Sequence, residues 1–100
     1  MDIVKRVKRI EELSFTMKDA LEVDRAIIYA AIKTLTDEIT ATIQKNKKKG
    51  YVYVEEKLLS LGWHAESLAH LDDGNGHSDE QHYLWLLGQL RTIKNNIESI

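Results

Sequence analysis

Apolar residues recur at steps of three and four through the first half of the chain. Ile28, Ile32, Leu35, Ile39 and Ile43 share one side of a helix, with Leu35 mid-stripe. Lys45, Lys47, Lys48 and Lys49 crowd the expected last turn, where cations suit the negative end of the helix dipole. Gly50 then stands where a left-handed cap is needed. Upstream, Ile3, Val7, Ile10, Leu13 and Met17 step the same way, and the stripe keeps its phase from residue 3 to residue 43. That continuity suits one unbroken helix. Helices of more than about 40 residues are rare in globular domains, however, and Ser14, Phe15 and Thr16 are indifferent helix formers. A break between Ser14 and Asp24 is therefore expected. Thr16 (with Asp19 three residues on) and Asp24 (stapled by Val23 and Ile28) are the candidate caps.

Tyr51 to Val54 resembles a strand in composition, but the chain offers it no partner strand. Val54, Leu58, Leu61, Ala65 and Leu68 continue at helical steps and predict a helix from about Val52 to Leu71. Asp72 to His77 reads as a loop. Ser78 and Gln81 form a capping box for a last helix over Asp79–Ser99, whose buried face is Tyr83, Leu86, Leu87, Leu90, Ile93 and Ile97. Three segments of matched length with short connections predict an all-α, antiparallel helical bundle of four helices, or three with a very long first one.

Composition changes this picture little. The 100 residues make a single helical-bundle domain, residues 1–100, with 43% hydrophobic and 30% charged side chains. No apolar run approaches the roughly 20 residues that span a bilayer, and MDIVKRVKRIEEL lacks the continuous apolar core of a signal peptide. No membrane association is expected, and a cytoplasmic location follows by elimination. The absence of cysteine excludes disulfides and thiolate metal sites. Charge is uneven: residues 1–50 hold 11 Lys/Arg against 8 Asp/Glu, and residues 51–100 hold 3 against 8. Such asymmetry marks a partner surface or complementary packed helices.

Three constellations could hold chemistry. Glu66 and His70 (i, i+4) and Asp79 and His82 (i, i+3) flank the loop with His77, a nitrogen and carboxylate set suited to a divalent metal. Set against this, a lone acidic-x-x-His pair falls far short of the paired motifs of di-iron bundles, and the bland reading is polar residues at a solvated bundle end. Counted from Asp73, the sixth and twelfth loop positions are Ser78 and Leu84, so the calcium-loop pattern fails. The second constellation is basic: Lys5, Arg6, Lys8 and Arg9 with Lys45, Lys47, Lys48 and Lys49. It could meet phosphates, but the net charge of −2 and the lack of a helix-turn-helix signature argue against nucleic acid.

The third is apolar. Val52, Leu59, Trp63 and His70 lie opposite the core face of their helix, and Trp85 sits off the core face of the last one. A helix apolar on two sides is either central or part of an interface, and exposed aromatics are enriched where proteins meet. The alternative is that the N-terminal helix of the same chain covers this side. No nucleophile elbow or phosphate loop is present, so neither catalysis nor a cofactor is expected. The expected function is a non-catalytic protein that binds another protein, as inhibitors, immunity proteins and regulatory adaptors do, with homodimer formation included. A metal-binding helical protein is the alternative, and nucleic-acid binding the third reading.

Overall fold

The computed structural model describes residues 2–97. Helix α1 spans Ile3–Met17, α2 Glu22–Asn46, α3 Tyr51–Leu68 and α4 Asp79–Asn96, with a single 3-10 turn, Gly74–Gly76, between the last two. Each helix packs against the next, and α1 closes the ring against α4. The result is a four-helix antiparallel bundle of 37 × 23 × 18 Å. Among the described residues, no helix is long and apolar enough to cross a membrane.

The first 46 residues form two helices, not one. The break falls inside the expected window, but neither proposed cap makes it. Ser14 and Thr16 stay helical, their hydroxyls bonded back to the carbonyls of Ile10 (2.7 Å) and Leu13 (2.8 Å). The N-cap of α2 is Leu21, which has no side-chain capping bond, and Glu22 and Asp24 supply the favourable first-turn charge. The turn is held from a distance. Arg25 donates to the carbonyls of Lys18 (2.7 Å) and Ala20 (3.2 Å), to Leu68 O (3.0 Å) and to Asp79 (2.9 Å). One guanidinium thus answers the orphan carbonyls after α1 and ties the turn to the adjoining ends of α3 and α4.

The end of α2 also differs from expectation. Lys47, not Gly50, is the left-handed C-cap of α2 (φ 47°) and returns its N–H to Ile43 O. Gly50 (φ 88°) is the N-cap of α3. Only Lys45 belongs to the last turn of α2; Lys47 is its C-cap, and Lys48 and Lys49 lie past the helix end.

The core follows the periodicity closely. Val54, Leu58, Leu61, Ala65 and Leu68 of α3 are buried, as are Ile32, Ile39 and Ile43 of α2, Val7, Ile10 and Met17 of α1, and Leu86, Leu90 and Ile93 of α4. Leu13, Ile28, Leu35, Tyr83, Leu87 and Ile97 are half-buried around them. Leu35 flanks the core instead of centring it, because Thr36 takes the inward position on that turn. Ser78 caps α4 by accepting from Gln81 N (3.2 Å), as the sequence pattern implies.

Candidate functional site

Helix α3 ends earlier than its apolar pattern suggests. Its C-cap is Ala69; His70 N–H bonds Ser67 O and Leu71 N–H bonds Glu66 O. This is a Schellman closure with His70 in the left-handed position, φ 59°. The stripe Val52, Leu59, Trp63, His70 therefore breaks at its last member. His70 swings to the end of the bundle, while Val52, Leu59 and Trp63 stay on the outer side of α3.

There they are exposed, Leu59 by 73% and Trp63 by 37%. Helix α1 lies diagonally across the bundle against α2 and α4, and does not cover this side of α3. Leu59 and Trp63 border a groove of about 400 Å³ between α2 and α3. Its α3 wall includes Gly62, where an added Cβ would meet nothing within 4 Å. On the opposite flank, Trp63 borders a shallower cleft of about 340 Å³ towards α4, shared with His64, His77 and the half-buried Trp85. Trp63 is thus the ridge between two depressions.

Beneath that ridge is a cluster in which the sequence pattern singled out His82 but not its partner His64. The two imidazoles meet Nδ1 to Nδ1 at 3.0 Å, and His82 Nε2 lies 2.9 Å from Gly74 O. A carbonyl only accepts, so His82 carries its proton on Nε2. A neutral His82 then offers Nδ1 as acceptor, and His64 Nδ1–H donates to it. Trp63 stands edge-on to His82 (84° at 5.2 Å), and Trp85 makes the same kind of contact with His77 (86° at 4.8 Å). Burial, with repulsion from His82 and His77, pushes the His64 pKa down to about 4. Two protonated rings would face each other N–H to N–H, so this contact holds one proton at most. Gly74 permits the approach: its φ is +65°, and a Cβ there would come within 2.5 Å of His82 Nε2. His64 carries no apolar or motif signal in the sequence. Only its position three residues after Leu61 and one before Ala65, both core positions, hints that it points inward.

The second histidine cluster is ionic. His70 Nδ1 lies 3.1 Å from Glu22 and its Nε2 3.1 Å from Asp79, which also receives Arg25. Hydrogen bonds to Asp79 and Glu22 raise the His70 pKa against a smaller opposing effect of burial. Burial disfavours the charge on Asp79, but His70 and Arg25 outweigh it and hold the carboxyl below its usual range.

The five candidate metal ligands are therefore dispersed. Glu66 accepts from Tyr29 (2.9 Å), His82 serves His64 and Gly74, and His77 packs on Trp85. His70 and Asp79 do meet, but both His70 nitrogens face carboxylates, and a guanidinium sits on Asp79. Among the described residues no group of three or more such side chains is arranged to hold a metal ion. The basic cluster is partly neutralised: Arg6 pairs with Glu38 (2.7 Å) and Arg9 with Glu12 (3.1 Å). Lys5, Lys8, Lys45 and Lys47–Lys49 are exposed.

Comparison with protein-family models, with curated proteins and with solved structures finds no match to this chain.

Proposed function

We propose that this protein is a non-catalytic, cytoplasmic binding protein whose contact surface is the outer side of α3. The observation that carries the reading is the exposure of Val52, Leu59 and Trp63 on a side that no other helix of the chain covers. Exposed aliphatic and aromatic side chains along one helix are frequent anchors of a protein interface. Trp63 also rests on the His64–His82 pair, so its position is set before any partner arrives. Preorganised aromatic anchors lose little conformational freedom on binding. Self-association through this side is one form of the same reading.

Leu59 gives the cleaner test, because Trp63 contributes to the fold as well. Leu59→Lys is expected to leave helicity and melting unchanged and to abolish capture of the partner from native cells. It should likewise abolish any concentration-dependent sedimentation of the wild type. Capture and sedimentation identical to wild type would remove this side of α3 from the function.

A further inference from the structure

The α2–α3 groove has a chemistry of its own. Its two ends carry carboxylates: Glu66, which accepts from Tyr29 of α2 at one end, and Glu55, which accepts from Gln44 of α2 at the other (each 2.9 Å). Tyr29 and Gln44 are neutral donors and leave both charges in place. Between them, Lys33 and Asp37 pair with each other at 3.0 Å and cancel. The groove is therefore net negative, with its charge at the two ends and apolar surface, Leu59 and Trp63, in the middle. Burial and Glu66 push the Tyr29 pKa up to about 12, as expected for a phenol held against a carboxylate.

Glu55 and Glu66 are eleven residues apart on one helix. Eleven residues are just over three turns, so both sit on the same side of α3, about 16 Å apart along its axis. At the centre Gly62 leaves the space of a missing side chain. Resting on the proposed role of this side of α3 in protein binding, we infer that the groove receives an amphipathic helix of a basic partner. That helix presents Lys or Arg at i and i+11 to Glu55 and Glu66, with apolar side chains at i+4 and i+7 over Gly62 between Leu59 and Trp63. A second copy of this chain does not supply that pattern. None of its own helices places two cations eleven residues apart, and pairing α3 with α3 would set its carboxylates against each other.

The test uses a synthetic alanine-based helical peptide with two lysines at i and i+11 and leucines at i+4 and i+7. A second peptide has glutamates in place of the lysines. Binding to the full chain is read by calorimetry and by tryptophan fluorescence. The lysine peptide is expected to bind at least about tenfold tighter than the glutamate peptide, as two ion pairs allow, with the advantage shrinking at high salt. Gly62→Leu puts a side chain into the groove at a position where its Cβ meets nothing within 4 Å. It is expected to melt no lower than wild type and to lose peptide binding. Equal binding of the two peptides, binding of neither, or binding that survives Gly62→Leu overturns the inference. A wild-type homodimer dissolved by Gly62→Leu overturns it too, by seating a second copy in the groove. The broader reading fails separately, through Leu59→Lys and the cellular partner.

Discussion

Two histidine clusters sit on either side of the connection from α3 to α4, and they behave in opposite ways. His64 and His82 are buried, share a bond between ring nitrogens, and among the described residues hydrogen-bond each other and Gly74 O, not a carboxylate. His70 stands in solvent between Glu22 and Asp79. Burial without a counter-charge favours the neutral imidazole, and two carboxylates favour the cation, so the same side chain is pushed down in one place and up in the other. The first cluster fixes the Trp63 ridge to α4. The second, with Arg25, fixes the α1–α2 turn to the same end of the bundle. The difference separates a packing device from an electrostatic latch.

The sharpest way to break that contrast is to remove His82. His82→Ala leaves Gly74 O and His64 Nδ1 without their partner in a buried site and opens a cavity under Trp63. We expect a loss of about 2–4 kcal/mol in denaturant unfolding. A loss under about 0.5 kcal/mol, the range of an ordinary surface change, would show that the pair does not hold α3 to α4.

Acid separates the clusters next. For His64 the folded pKa lies below the unfolded value near 6.5, so below that pH the unfolded chain binds the extra proton. Its contribution is present above about 6.5 and drains away as pH falls towards 4, on the order of 1–3 kcal/mol. For His70 the sign is reversed. The folded chain holds the proton more tightly, so its contribution is full below about 6.5 and is lost as pH rises through the raised folded pKa. Unfolding midpoints across this range should pass through a maximum. His64→Phe should flatten the acid limb alone, and His70→Gln the alkaline limb alone. Parallel effects of the two variants on both limbs would refute the separation.

The smallest effect concerns the backbone at His70. Its left-handed conformation costs about 1 kcal/mol for a residue with a Cβ, and solvent screens its two ion pairs. His70→Gly removes both together and should change stability by less than about 1 kcal/mol near neutral pH. His70→Ala keeps the strain and loses the pairs, so it should be the worse of the two. If His70→Gly destabilises by much more than about 1 kcal/mol despite the relieved backbone, the ion pairs dominate and the latch is stronger than its exposure implies.

Periodicity was sufficient for what depends on neighbours three and four apart. The helical nature of the chain, the buried row from Val54 to Leu68 and the Ser78 cap of α4 all follow from local spacing. So does the outward stripe of Val52, Leu59 and Trp63. Contacts between distant residues were beyond its reach. Arg25 holds the α1–α2 turn partly through Asp79, 54 residues away, so no cap at Thr16 or Asp24 was needed. His64 and His82 are 18 residues apart and meet because Gly74 lets the loop close over them. His70 leaves its stripe because α3 closes one turn early, where Glu22 and Asp79 can reach it. A helix's apolar face is written in its own few turns. The partner of a buried polar side chain is decided only when another part of the chain arrives beside it.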